Sequence, residues 1–231
     1  MEPWCRSNIT LQCLKGLVRR RTAIKEWWLP DNEDASSPPE GYIVSFAHFH
    51  ERGFTTPTHK FLRGLLDYYK VELQHLTPNG VQHIAAFVAL CEGFLGIDPH
   101  FDLWRYLLAV NLIKKRTGKQ ELSVPVGCAG IHLHNNRVNE YPWMHLSTSN
   151  KGWHSYWFYV KNDAASPLPE FTRRLIEEAP NSWRKWGVLE KMWGNRPPIP
   201  SWVYMGRTTR SGPARKMKTC GARHYIVIIP N

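Results

Sequence analysis

Cysteine is scarce in this chain and poorly placed for covalent cross-linking. The cysteines are odd in number and scattered, and no two of them form a CxxC pair. Small secreted domains that depend on disulfides show denser and more regular spacing. We therefore expect no disulfide framework and a reducing, intracellular setting, with nucleus and cytoplasm both open. The cysteines are Cys5, Cys13, Cys91, Cys128 and Cys220.

Long apolar runs and targeting signals are also missing. No apolar run approaches the roughly 20 residues that a membrane-spanning helix needs, so we expect no membrane partner. The N-terminal stretch MEPWCRSNITLQC has no basic start leading into an apolar segment, which argues against a secretory signal. Hydrophobic residues make up 42% of the chain and charged residues 21%, values typical of a folded protein with a real core.

Sequence motifs for common chemistry are absent as well. The chain has no GxSxG, no GxxxxGK[ST] and no GxGxxG, and Cys91 lies within an apolar helical pattern, where a thiol behaves as a small hydrophobe. Four acids, Asp98, Asp102, Asp163 and Glu170, could in principle hold two metal ions, but nothing presents them at the ends of buried strands. We therefore expect a protein that is not an enzyme, with no catalytic residues and no cofactor.

Acidic residues are almost missing from the C-terminal part of the chain. Residues 183–231 carry 10 basic side chains and 1 acidic one, and most of the formal net charge of +11 lies there. Such an excess predicts weak attraction to nucleic acid; a solvated tail that binds nothing is the alternative. The candidate nucleic-acid-binding residues are Arg184, Lys185, Lys191, Arg196, Arg207, Arg210, Arg215, Lys216 and Lys218.

Tryptophans accompany these cations. They could stack on single-stranded bases, or they could pack the segment back onto the domain, and the sequence favours neither. The four indoles are those of Trp183, Trp186, Trp193 and Trp202.

Histidine is abundant, with 11 residues, and some of them are close in sequence. His132 and His134 share a face if they lie on a strand, with Cys128, His145 and His154 as further ligands. Their spacing matches no zinc motif, so we expect histidines on the solvent face of a sheet and no metal.

Three steps that pair a capping residue with proline recur at 21-residue spacing, namely Thr56-Pro57, Thr77-Pro78 and Asp98-Pro99. Thr and Asp cap the first helical turn and proline suits its first position, so each step predicts a helix. The predicted inward positions are Phe61, Leu62, Leu65, Leu66 and Tyr69 in the first helix; Val81, Ile84, Ala85, Val88, Cys91 and Leu95 in the second, which Gly96 ends; and Phe101, Trp104, Leu107 and Leu108 in the third, with Lys114, Lys115 and Arg116 near its end.

The flanking segments are less regular. Residues 11–28 predict a helix with Leu11, Leu14, Leu17 and Val18 on one face. Residues 42–54 fit a strand at first and a helix afterwards, and we favour a helix from Ser45. Residues 129–134, 141–146 and 153–160 predict strands of one small antiparallel sheet, and residues 170–179 predict a short helix that Pro180 ends.

The second and third helices have the spacing of a helix-turn-helix. His100, Asp102 and Arg105 would then face DNA. The surrounding residues are heavily apolar, which favours a core helix instead.

Several ordered blocks resemble a plant domain family of gypsy-type transposon proteins, also labelled a gypsy-type transposase. The resemblance covers about residues 14–190, and it implies a retrotransposon origin without assigning catalytic residues. The blocks are Glu51-Arg52-Gly53-Phe54, Leu76-Thr77-Pro78-Asn79, Cys91-Glu92-Gly93-Phe94-Leu95-Gly96 with Pro99-His100-Phe101, and Lys151-Gly152-Trp153 before Trp157-Phe158.

The sequence thus predicts an α+β protein with a bundle of four to five helices over residues 42–116 and a sheet over 128–161. An N-terminal helix and Pro/Ser-rich linker (1–41) precede the transposon-like domain (42–190), and a basic, disordered tail (191–231) follows. The expected function is that of a non-enzymatic, gag-like or accessory domain that contacts itself or other element proteins and binds RNA or DNA weakly through the tail. The alternatives are a DNA-processing enzyme and an element fragment without selected function.

Overall fold

The computed structural model describes residues 4–19, 26–31, 36–117, 120–135, 141, 146, 150–165, 167–183, 218–219 and 226–227. Five α-helices and several small antiparallel sheets make up this part of the chain, which confirms the predicted α+β class. No helix in these ranges combines the length and the apolar character that crossing a bilayer requires.

The N-terminal segment packs into the same core as the rest. Helix α1 spans Leu11–Arg19 and buries Leu14 and Leu17, whereas Leu11 and Val18 remain exposed. The prediction of a helix to residue 28 is wrong, because Trp27–Trp28 forms strand β1. Paired indoles suit a half-buried strand better than a helical surface.

Strand β2 spans Tyr42–Phe46, and β7 spans Trp157–Lys161 and is buried over its first four residues. Together with β1 they form a three-stranded antiparallel sheet with the strand order β1-β7-β2. The register pairs Val44 with Tyr159. Residues 153–155 form a 3-10 turn instead of the start of the predicted strand.

Within the described ranges, four α-helices follow β2. Helix α2 spans Ala47–Glu51, two residues later than the predicted start at Ser45, which lies in the strand. Helix α3 spans Lys60–Tyr69 and buries all five predicted inward residues. Helix α4 spans Pro78–Ala89 and runs into a π-helical turn, Leu90–Leu95, which Gly96 ends in a left-handed conformation as predicted.

Of the three predicted helix caps, one forms. Thr77 Oγ1 accepts a hydrogen bond from the Gly80 amide at 3.0 Å. Helix α3 is capped by the His59 ring, three residues after a cis Thr56-Pro57 bond. Helix α5 spans Phe101–Leu107 without a side-chain cap, so Asp98 does not cap it.

The predicted third helix is shorter than expected, and a β-arm takes its place. Strands β3 (Leu108–Leu112) and β4 (Lys114–Thr117) go out, and β5 (Gln120–Ser123) and β6 (Ala129–Leu133) return. Strand β3 pairs with β6 and β4 with β5, all antiparallel. Placing residues 108–116 in a helical bundle was therefore wrong.

Strand partners also differ from the single sheet expected over 128–161. Strand β6 pairs with β3, and β7 pairs with β1 and β2, so the two predicted strands that form lie in different sheets. Most of the remaining predicted strand, residues 141–146, lies outside the described residues.

The C-terminal part of the described chain contains no helix over residues 170–179, so that prediction is wrong. These residues follow an irregular path, with Arg173 at a φ of 58°, into a 3-10 turn at Asn181–Trp183. Two further short strands, β8 (Lys218–Thr219) and β9 (Ile226–Val227), pair with each other.

Candidate functional site

The predicted nucleic-acid-binding residues fall almost wholly outside the described part of the chain. Lys218 is the one candidate whose backbone the structure describes; it lies in β8 opposite Val227. The structure therefore does not test whether these cations come together. Those outside the described residues are Arg184, Lys185, Lys191, Arg196, Arg207, Arg210, Arg215 and Lys216.

Trp183 shows which alternative holds for the first of the four tryptophans. Its side chain is 4% exposed, and its Nε1 donates a hydrogen bond to the Tyr69 carbonyl oxygen at 2.8 Å. A ring held in this way packs the segment onto α3 and is closed to a nucleobase. Trp186, Trp193 and Trp202 lie outside the described residues.

A serine and a histidine meet at the junction of β2 and α2. Ser45 Oγ lies 2.9 Å from His50 Nε2, and both residues are buried. Burial lowers the pKa of His50 to about 3, so the ring stays neutral near pH 7. The rings of Phe54 and Phe158 pack against it. A Ser–His contact can activate a nucleophile, but a pair enclosed in this way is out of reach of a substrate.

A second buried polar cluster ties the chain before α4 to the irregular segment after β7. Glu72 is 5% exposed, and its carboxylate accepts hydrogen bonds from the Thr172 amide at 2.8 Å, from the Thr172 hydroxyl and from the Gln74 side-chain amide. A buried carboxylate needs several donors to offset its lost hydration. These bonds supply them.

His75 completes this cluster. Its Nδ1 accepts the Glu72 amide at 2.9 Å, which leaves the proton on Nε2, 2.8 Å from the Arg174 carbonyl oxygen that accepts it. Burial lowers the pKa of His75, in agreement with a neutral ring. We name the group of Glu72, Gln74, His75 and Thr172 the Glu72 cluster.

The histidines considered for metal binding have separate partners. His132 Nε2 lies 3.3 Å from Asn111 Nδ2, and His134 Nε2 lies 3.1 Å from the Arg105 carbonyl oxygen. Cys128 is fully buried, which raises the pKa of its thiol to about 12. His154 is exposed, and His145 lies outside the described residues. No group of three or more His, Cys, Asp or Glu side chains converges in the described ranges.

The four acids weighed as a metal-binding set are dispersed. Asp98 pairs with Lys60 at 3.1 Å on the surface, Asp102 lies in α5, and Asp163 Oδ1 accepts the Ala165 amide at 3.0 Å. Glu170 is exposed in the irregular segment. Their individual environments explain them as surface and turn residues.

The helix-turn-helix alternative gains no support from α5. Leu103, Trp104 and Leu107 are buried, and the Arg105 guanidinium lies over the Tyr68 ring, 5.4 Å from its centre. His100 stands at the helix start without capping it. The arrangement agrees with a core helix.

The β-arm carries on a strand the cations that the sequence placed at a helix end. Lys114, Lys115 and Arg116 are consecutive on β4, and the Lys114 and Lys115 side chains are exposed. The signal that could have found the arm is the presence of a glycine, Gly118, between two short runs of extended character in the sequence. It was missed because Leu107–Leu112 also fits the helical period.

One described segment matches a known family model. Residues 43–112, from β2 to the end of β3, match the family described as "Putative gypsy type transposon". This confirms, over that segment, the family that the sequence blocks resemble. No curated protein and no solved structure matches the chain.

Proposed function

We propose that this chain acts as a non-enzymatic, gag-like or accessory domain of retrotransposon origin. In this proposal the folded part makes contacts with other proteins or with a second copy of the chain. The cations of the C-terminal region add weak nucleic-acid contacts that do not depend on base sequence.

The observation that carries the proposal is the use made of the polar groups inside the fold. The Ser45–His50 pair joins β2 to α2, and the Glu72 cluster joins two distant segments. Groups of the types that serve catalysis elsewhere are thus occupied in holding elements together. The match to a gypsy-type transposon family supports the origin.

Exposed apolar side chains support the protein contacts. Phe94 on the π-helical turn is 42% exposed, and Trp28 on β1 is 52% exposed. Aromatic rings are enriched at protein interfaces. Analytical ultracentrifugation of the full chain tests self-association. Phe94→Ser should weaken self-association, whereas the control Phe171→Ser, at a half-buried position, should leave it unchanged in the folded protein.

The nucleic-acid part is tested by titrating RNA and DNA with the full chain at two ionic strengths. Binding through the C-terminal cations should weaken steeply with salt. Changing the nine candidate residues to glutamine should reduce affinity at least about tenfold.

A matched pair of triple variants controls for net charge. Arg184, Lys185 and Lys191 changed to glutamine should weaken binding more than the same change at Lys15, Lys70 and Lys151, which are exposed on the described fold. Equal losses, or binding that salt does not affect, would contradict a C-terminal site.

The enzyme alternative has its own test. The purified chain is incubated with plasmid DNA and Mg²⁺ or Mn²⁺, and we expect no cleavage or joining. Activity that disappears when one of the acids Asp98, Asp102, Asp163 or Glu170 is changed to its amide would overturn the proposal. Detection of native peptides tests the alternative of a fragment without selected function.

A further inference from the structure

The β-arm has a largely buried base, formed by β3 and β6, and a charged tip, formed by β4 and β5. We propose that Lys114, Lys115 and Arg116 at this tip bind the phosphate backbone of double-stranded DNA. This goes beyond the proposed function, because strand β4, which carries the three residues, belongs to the described fold and the site does not require the C-terminal cations.

The base of the arm is anchored firmly. Leu108, Ala109 and Val110 of β3 are buried, and β6 packs against α4. Ile113 is the single residue that joins β3 to β4, whereas the five residues 124–128 join β5 to β6. The Ile113 amide donates a hydrogen bond to the Cys128 carbonyl oxygen at 2.7 Å across this junction. The base therefore fixes where the tip leaves the molecule.

The tip contributes little to the core. The Lys114, Lys115, Gln120, Glu121 and Leu122 side chains are all exposed. A two-stranded β-ribbon that buries little apolar surface is only marginally stable in water. Ordering this extension therefore costs conformational entropy that burial of apolar surface does not offset. A contact outside the chain would offset that cost.

The chemistry of the tip favours a duplex over a single strand. Residues 113–124 contain no aromatic side chain, whereas proteins that bind single strands rely on aromatic stacking. Three consecutive cations suit phosphate oxygens, and a two-stranded β-ribbon fits the roughly 12 Å major groove of B-form DNA. The deep, narrow major groove of duplex RNA would not admit the ribbon.

Glu121 provides a test with the opposite sign. The register of the tip sets it directly across from Arg116. A carboxylate there would repel phosphate and reduce the positive charge of the tip. Removing this charge should therefore strengthen DNA binding, whereas removing a cation should weaken it.

The experiment measures binding of the full chain to a 20-base-pair DNA duplex from 50 to 200 mM salt. Changing Lys114, Lys115 and Arg116 to glutamine should weaken binding at least about tenfold and lower the slope of log K against log salt by up to about 2.7. Glu121→Gln should strengthen it. The charge-keeping variant K114R/K115R/R116K should bind like the native chain.

The same variants are made with the nine C-terminal cations changed to glutamine, which separates this site from the proposed C-terminal one. Loss of binding from the tip variants in that background supports the arm even if the C-terminal site fails. Near-ultraviolet circular dichroism checks the fold, and the single variants Lys115→Gln and Glu121→Gln decide the matter if the triple variant unfolds.

Three results would overturn the inference. The first is an unchanged slope in the triple variant, and the second is weaker binding by Glu121→Gln. The third is a different ligand, namely single-stranded DNA, duplex RNA or polyglutamate, that binds the native chain as tightly as the DNA duplex does and loses as much affinity in the triple variant. Such a result would assign the tip to another class of partner.

Discussion

Two residues that look alike in sequence play different parts in the structure. Thr77 and Asp98 both precede a proline at the start of an apolar helical pattern. Thr77 accepts the Gly80 amide, whereas Asp98 forms a surface ion pair with Lys60. Thr77→Val keeps the side-chain shape and should lower the free energy of unfolding by about 1 kcal/mol.

Asp98→Asn is the matched change at the other step. An exposed ion pair contributes little, so the free energy of unfolding should move by less than about 0.5 kcal/mol. Urea denaturation of both variants measures the difference. A cost at Asp98 equal to that at Thr77 would restore the capping role that the sequence predicted.

Buried histidines make stability depend on pH. Burial lowers the pKa of His50 to about 3 and that of His83 to about 4. In the unfolded chain both histidines titrate near 6.5, so the unfolded chain takes up protons before the folded protein does as the pH falls. The free energy of unfolding is therefore highest above pH 6.5 and decreases below it, by about 2 kcal/mol for each histidine at pH 5.

Urea denaturation at pH 7.5 and pH 5 measures this decrease. His50→Gln should remove about 2 kcal/mol of the difference between the two pH values, whatever it does to stability at pH 7.5. His154→Gln, at an exposed position, is the control for changing a histidine to glutamine. A difference that His50→Gln does not alter would mean that the ring is not held neutral in the fold.

Sequence reasoning succeeded with residues whose role is set by near neighbours. The inward face of α3 follows from apolar spacing alone, and all five predicted residues are buried. The Glu72 cluster could not be found in this way, because Thr172 and Arg174 are about 100 positions away. Local patterns carry no record of so distant a partner.

At the scale of single elements, two glycines differ in what a methyl group would do: Gly127 lies in a crowded turn and Gly64 in an open part of a helix. Gly127, which precedes β6, has a φ of +73°, and a Cβ there would lie 2.9 Å from the Trp153 ring. Gly127→Ala should therefore destabilise the fold by about 1–3 kcal/mol. Gly64 is exposed within α3 with open space around it, so Gly64→Ala should stabilise by about 0.5–1 kcal/mol.

Thermal denaturation of the two variants compares the same chemical change in two settings. Opposite shifts in melting temperature are expected. A Gly127→Ala variant as stable as the native chain would show that the turn before β6 can adopt another conformation.

Trp183 fastens the end of the irregular segment to α3. Trp183→Phe keeps an apolar ring but leaves the Tyr69 carbonyl oxygen without its donor, which should cost about 1–3 kcal/mol in urea denaturation. Affinity for single-stranded DNA should stay the same where both proteins are folded. A loss of affinity without a loss of stability would favour base stacking instead.

Element boundaries were predicted less well than element cores, for reasons visible in particular residues. Leu107 and Leu108 suit both a helix and a strand, so the sequence could not show that α5 ends between them. Residues 170–179 have a helical pattern, but Thr172 and Arg174 bond to Glu72 and His75 instead. Tertiary hydrogen bonds there override local propensity.

The pairing of the central sheet appears only at the scale of the whole molecule. Strand β7 (Trp157–Lys161) lies between β1 (Trp27–Trp28) and β2 (Tyr42–Phe46), which are far from it in sequence. The sequence predicted the extended character of residues 157–160 and 42–44 separately. The alternation of apolar and polar residues along a strand shows which face is buried and does not show which strand it pairs with. For this reason three strands near one another in sequence were expected to pair.

The N-terminal segment, which the sequence sets apart as a helix and linker, shares the core of the domain. Trp157 Nε1 donates to the Cys5 carbonyl oxygen at 2.9 Å, and the Trp4 ring packs against Phe46 and Trp157. Leu14 and Leu17 are 0% and 2% exposed. Removing residues 1–19 would therefore uncover one side of the central sheet.

We expect a chain that begins at residue 20 to lose cooperative unfolding in urea, since burying Leu14, Leu17 and Trp4 contributes several kcal/mol, a large share of the stability of a typical domain. A chain that ends at Trp183 is the control, because it keeps every core contact named above, and it should unfold cooperatively. If the chain that begins at residue 20 unfolded as sharply and at the same urea concentration as the full chain, the core would hold without residues 1–19, and the N-terminal helix would be an attachment rather than part of the fold.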